Sequence, residues 1–234
     1  MNAKRPLSMA AVVVTSVCLL ALPVLAQQPP KVQIPQPGVP QIMTLQGRYA
    51  RAAYNDEGYA ILGYRVANLS VGEEWLLLEV GFALREGVPD YEMTREALSL
   101  ETPDGKTIPL APNMEYRKAN LSALQARAKV QRDSINYFPP NAHRSCRIGF
   151  FAELDQRAMA WDTVELGDQR ACLGRLFFQV PGGITYGQHW LSVKFAKSVV
   201  RVPFRVLTKE EDKLLDKNYE DIKKQVDEAF RKKR

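Results

Sequence analysis

Histidine occurs only twice in the 234 residues and cysteine only three times. Such scarcity leaves little material for an all-protein metal cluster or a scaffold of several disulfides. Beyond the first 26 residues no apolar run approaches the roughly 20 residues needed to cross a bilayer as a helix, which excludes a multi-span membrane protein. With 14 glycines and 15 prolines, the chain is neither collagen-like nor a low-complexity polymer. It has no internal repeat, no Gly-x-Ser-x-Gly elbow and no His-Glu-x-x-His helix. A strong charge of one sign is also missing. The 32 Lys and Arg face 26 Asp and Glu, giving a formal +6. Apart from Arg117-Lys118, Arg127-Lys129-Arg132 and Arg231 to Arg234, the basic residues are spread out, so no nucleic-acid footprint is expected.

What is present is an ordinary globular mixture, 46% hydrophobic and 25% charged. It is long enough to bury one substantial core without a metal or a disulfide framework. Residues 1 to 26 carry Lys4 and Arg5, then an apolar run from Met9 to Leu22, then Pro23-Val24-Leu25-Ala26. This is the pattern of a secretory signal peptide, with small residues at the cut, and the expected location is periplasmic or secreted. Removing it leaves 30 basic against 26 acidic residues, a charge of +4, and two cysteines. In an exported chain Cys146 and Cys172 are most simply one disulfide, with two buried free thiols as the alternative.

From Gln27 to about Thr44 the chain is proline-rich and reads as an extended spacer. Residues 45 to 207 form the expected sandwich domain, and from Tyr59 to Phe204 the recurring pattern alternates with period two. In Glu74 to Leu84, Leu76, Leu78, Val80, Phe82 and Leu84 share one face, while Trp75, Leu77, Glu79, Gly81 and Ala83 share the other. Tyr59 to Ala67, Cys146 to Phe151, Thr163 to Leu166 and Ala171 to Val180 also read as strands. Ala97 to Thr102 and Thr107 to Leu110 flank Asp104-Gly105, a hairpin signal that also accounts for Gly105-Lys106-Thr107 without a phosphate loop. Gln188 to Ala196 and Val199 to Leu207 form a second hairpin across Lys197-Ser198. Pro203 marks the latter as an edge strand or a bulged one. About eight such strands predict a mainly β antiparallel sandwich. Two helical segments interrupt the pattern. One is an insertion over about 115–135, with Asn120 as N-cap and Leu121, Leu124 and Ala128 inward. The other is a charged C-terminal helix over 208–234, opened by a Thr208/Glu211 capping box, with Leu215, Tyr219, Ile222, Val226 and Ala229 on one stripe.

Chemistry-bearing residues are few. His143-Arg144-Ser145-Cys146 has no oxyanion hole beside it, and a disulfide at Cys146 competes with any nucleophilic role. Asp155, Asp162 and Asp168 match no calcium loop, so no catalytic residue, metal or cofactor is expected. Trp161, Tyr186 and Trp190 are candidate exposed aromatics able to stack on sugars.

The segment Pro181-Gly182-Gly183-Ile184-Thr185-Tyr186-Gly187-Gln188, followed by the hairpin to Val206, resembles the closing strands of immunoglobulin-like modules in uncharacterised exported bacterial proteins. The resemblance covers about a third of the chain, lacks a tryptophan at the usual place between the cysteines, and implies an immunoglobulin-like sandwich. Such folds host adhesion, assembly and chaperone-like roles as well as enzyme accessory modules, so the resemblance implies binding by analogy alone. The expectation is a non-enzymatic interaction or structural protein of the bacterial cell envelope, meeting a protein partner or a second copy through sandwich loops or the C-terminal helix. The alternative is a carbohydrate-binding accessory module or envelope enzyme. Membrane contact is expected only through an uncleaved leader or the basic C-terminus.

Overall fold

The computed structural model describes residues 41–152 and 159–231. The expected leader at 1–26, the expected spacer up to residue 40, Asp155, and residues 232–234 of the helix expected over 208–234 lie outside them. The chain is mainly β, with twelve strands and four α-helices among the described residues.

A six-stranded sheet comprises β1 (Ile42–Gly47), β2 (Ala50–Tyr54), β3 (Gly58–Gly63), β4 (Trp75–Leu84), β10 (Arg170–Gln179) and β8 (Arg144–Ile148), in that order. All its neighbours are antiparallel except β10 and β8, which run parallel. That pair departs from the all-antiparallel expectation; the chain over 149–169, between the end of β8 and the start of β10, is long enough for the crossover that a parallel pairing needs. A four-stranded sheet follows the order β12 (Val199–Val206), β11 (Gly187–Lys194), β6 (Leu98–Glu101), β7 (Thr107–Pro109), and a small ribbon pairs β5 (Tyr91–Thr94) with β9 (Thr163–Leu166).

The two larger sheets share one core. Leu62, Leu78, Val80, Phe82 and Phe178 from the first belong to the same buried cluster as Leu100, Leu191, Val193, Val202 and Phe204 from the second. Period-two alternation therefore placed Leu76 to Leu84 correctly, and all five inward residues are fully buried. The opposite face of β4 is buried too, including Leu77, Glu79 and Ala83. The insertion and the segment that follows it cover this face. A Cβ added at Gly81 would lie 2.7 Å from the Phe138 ring, so only glycine lets that ring settle on the strand.

The β6–β7 hairpin forms as expected, with Gly105 at a φ of +80°. The β11–β12 hairpin also forms, and β12 is an edge strand, as Pro203 required. The Gln41 side-chain amide satisfies the open edge at Arg201, accepting that residue's N–H at 3.0 Å and donating to its carbonyl.

Four sequence expectations need correction. Ile42 to Thr44, assigned to the spacer, are the first half of β1. The strand drawn over Tyr59 to Ala67 stops at Gly63, and α1 (Arg65–Asn68) follows; the Asp133 carboxylate accepts the Arg65 N–H at 3.1 Å and fixes that turn. The strands β1 and β2 were hidden because Arg51 occupies an inward register opposite Leu62. There its guanidinium donates to the Tyr64 hydroxyl at 2.6 Å and lies over that ring. Finally, the insertion is two helices, α2 (Asn113–Lys118) and α3 (Ser122–Val130). Leu121 holds the N-cap position of α3, while Asn120 accepts a hydrogen bond from the Ser122 hydroxyl at 2.8 Å instead of capping. Leu121, Leu124 and Ala128 are buried as expected.

The last helix, α4 (Lys209–Arg231), opens with the expected reciprocal box: the Glu211 N–H donates to Thr208 Oγ1 at 3.2 Å, and the Thr208 N–H donates to Glu211 Oε2 at 3.0 Å. It packs against β1, the edge of the six-stranded sheet. No helix among the described residues is long and apolar enough to cross a membrane.

Candidate functional site

Three connections converge at one end of the fold: the β2–β3 turn, the β4–β5 link and the β11–β12 turn. The Asn55-Asp56-Glu57 turn is held by its own asparagine. Asn55 Oδ1 accepts the N–H groups of Glu57 at 2.9 Å and Gly58 at 3.0 Å, an Asx-turn. The same side chain donates from Nδ2 to Ser198 Oγ at 2.7 Å. The Glu57 carboxylate accepts the Lys197 N–H at 2.9 and 3.1 Å and the Ser198 hydroxyl at 2.5 Å. Asn55 and Glu57 are 5% and 9% exposed, so this is a buried network in which each polar side chain has a partner. The β4–β5 link joins through the Arg85 N–H, which donates to the Glu57 carbonyl at 3.0 Å. Asp168 then accepts the Gly87 N–H at 3.1 Å.

Between these loops lies a cavity of about 540 Å³. Val88, Pro89, Ala196 and the ring of Tyr91 give it apolar walls, and Asp56, Asp90 and Lys197 supply exposed charged groups. Among the described residues the carboxylates of Asp56 and Asp90 have no hydrogen-bond or ion-pair partner. Burial, reinforced by the Glu57 carboxylate, pushes the Tyr91 phenol well above its ordinary range, so it stays protonated. An apolar pocket with a few fixed polar groups, formed by loops on a rigid scaffold, is the arrangement of a ligand site.

A second cavity, also about 540 Å³, lies between the outer face of the six-stranded sheet and the insertion. Its central group is Glu79, 4% exposed. That carboxylate accepts the Asp133 N–H at 3.2 Å and faces Arg132 at 3.5 Å and Arg175 at 3.8 Å. Burial raises its pKa above the ordinary carboxylate value against the opposing pull of those groups. The network ties the 131–133 segment to β4 and β10, a structural use that occupies its charges, unlike those at the loop pocket.

The sequence candidates distribute unevenly. Cys146 and Cys172 form a disulfide spanning 26 residues, and they are register partners on β8 and β10. The bond removes Cys146 as a nucleophile. His143 is exposed, while His189 is fully buried, stacked on Phe204, and held below its ordinary pKa by that burial. Trp161 and Tyr186 are exposed, at 61% and 50%. Trp190 is not: at 6% exposure it lies under the Arg201 guanidinium, because Arg201 on the neighbouring edge strand reaches over its ring. None of the three aromatics lines either cavity. No group of three His, Cys, Asp or Glu among the described residues is placed to hold a metal ion.

On the C-terminal helix, Leu215, Tyr219, Ile222 and Val226 are half-buried. Ala229 is exposed, and Phe230, one residue on, is buried in its place at 7% and joins the core cluster. The larger ring simply captures the final inward position. No protein-family model, curated protein or solved structure matches this chain.

Sequence reasoning missed Asn55, Glu57 and Asp90. The signal was the Asn55-Asp56-Glu57-Gly58 run, whose first residue builds the turn and whose acids sit where a hairpin tip needs no charge.

Proposed function

We propose that the protein is an exported, non-enzymatic interaction protein of the bacterial cell envelope, periplasmic or secreted after cleavage behind Ala26, and that it takes its partner at the loop pocket. The carrying observation is that the side chains of Asn55, Glu57 and Ser198 are engaged in fixing the three loops, while Asp56 and Asp90 at the pocket have no partner among the described residues. Rigid loops presenting unspent charge fit recognition, and the Ser198 hydroxyl and Glu57 carboxylate at the pocket are engaged in holding the loops together. The disulfide and the leader-like segment support export. The immunoglobulin-like reading extends to the closing hairpin; the cross-strand disulfide within one sheet and the consecutive β1-β2-β3-β4 order are different from an antibody domain. The carbohydrate reading loses Trp190 to the interior and finds its remaining aromatics outside both cavities.

Two measurements test the proposal. Sequencing the N-terminus of the protein recovered from its extracytoplasmic fraction should begin at Gln27. A photo-crosslinking residue at Val88 should give discrete adducts in cells, and one at exposed Leu214 should not. A cytoplasmic chain retaining residues 1–26, or adducts from Leu214 alone, overturns it.

A further inference from the structure

We infer that the loop pocket accepts the side chain of a lysine presented by a partner polypeptide. The inference rests on the reading of that pocket as the binding surface and names the chemistry it recognises. Its walls are hydrocarbon, contributed by Val88, Pro89 and Ala196 with the face of Tyr91, and suit the four-carbon stem of lysine. The charged groups are lopsided: Asp56, Glu57 and Asp90 stand against Lys197. Glu57 is committed to the Lys197 N–H and the Ser198 hydroxyl, so Asp56 and Asp90 are the carboxylates left to meet a ligand. They come from different loops, one before β3 and one before β5. A guanidinium favours a single carboxylate in a planar fork, whereas a compact ammonium with rotatable donors meets two separate carboxylates without a fixed geometry. The pocket therefore fits an ammonium on an aliphatic stem, steered by charge and seated by apolar contact.

The test uses the purified, disulfide-bonded protein with nitrogen-15 labelling and three probes: the N-acetyl N-methylamides of lysine, norleucine and arginine. The lysine probe should shift the backbone amides of Gly87, Tyr91 and Ser198 saturably. It should bind about tenfold more tightly than norleucine, which has the same stem without the ammonium, and more tightly than arginine. The Asp56→Asn/Asp90→Asn double variant should bring lysine binding down to the norleucine level. Both carboxylates are exposed and unpaired, so its melting temperature should match the parent and a loss of binding cannot be a loss of fold. If norleucine or arginine binds as tightly as lysine at these amides, or if the double variant binds lysine unchanged, the pocket reading stands and the lysine inference falls. If no probe shifts them, both fall.

Discussion

Asn55 and Ser198, 143 positions apart in the chain, are joined by a 2.7 Å hydrogen bond between a side-chain amide and a hydroxyl. The same hydroxyl donates to Glu57, so one serine on the four-stranded sheet's hairpin holds both buried polar residues of the other sheet's turn. The end of the fold that carries the pocket is thus fixed by side chains, not by strand pairing.

Removing Glu57 should therefore be expensive. Glu57→Ala strips partners from the Lys197 N–H and the Ser198 hydroxyl inside a buried network. It should lower unfolding free energy by about 2 to 4 kcal/mol. Ser198→Ala should cost about 1 to 2 kcal/mol, and the double variant should cost less than the sum, because the two side chains share one network. Urea denaturation of the four proteins measures this cycle; strictly additive losses would mean that the residues act independently.

That network was barely legible in the sequence. Alternation marked β4, β11 and β12 because their inward residues are apolar apart from His189. It failed at β2, where Arg51 is inward, and beyond Gly63, where Val66 and Ala67 are adjacent and both buried, as a helical turn allows and an alternating strand on one core does not. Local rules located the Thr208/Glu211 box and the Gly105 turn, since both are settled within four residues. The loop pocket depends on contacts between segments some 140 residues apart, and no local pattern encodes which loops meet.

The disulfide links register partners on β8 and β10. In the chain-entropy model a closed loop of 26 residues is worth about 3.5 kcal/mol. Cys146→Ala/Cys172→Ala should lower stability by roughly that amount. The effect should match the loss that the parent protein shows on reduction, which calorimetry with and without reductant can check.

Helix α4 is held at its start by polar contacts and along its length by apolar ones. Arg48 pairs with Asp212 at 3.0 Å and with Asp216 at 2.9 Å, and the Tyr49 hydroxyl donates to Asp212. Arg48, Asp212 and Asp216 are about a third exposed or more, so solvent screening leaves their ion pairs little; Tyr49 is buried and loses its acceptor, so Asp212→Ala should cost about 1 to 2 kcal/mol in all. Ile222→Asp attacks the half-buried stripe instead. It should free the helix, seen as rapid proteolytic cleavage within 209–231 while the β-sheet core resists. Equal protection of parent and variant would show that the stripe does not hold α4 to the sheet.

Glu79 gives the fold a pH dependence of unusual sign. Burial disfavours its charged form more than Asp133, Arg175 and Arg132 favour it, so its folded pKa lies above the ordinary 4.5. Between those two values the folded state holds the proton more tightly than the unfolded chain. The group's contribution is fully present below the unfolded pKa and is lost as pH rises through the folded one. Most buried carboxylates tied to cations act in the opposite direction, losing stability as pH falls. Glu79→Gln keeps a hydrogen-bonding side chain that does not titrate. The melting temperature of the parent relative to Glu79→Gln should therefore decline as pH is raised from 4 across the carboxylate range and level off once Glu79 is ionised in the fold. A difference that instead grows with pH would mean that Arg132 and Arg175 outweigh desolvation, and that the charge stabilises the sheet against the insertion.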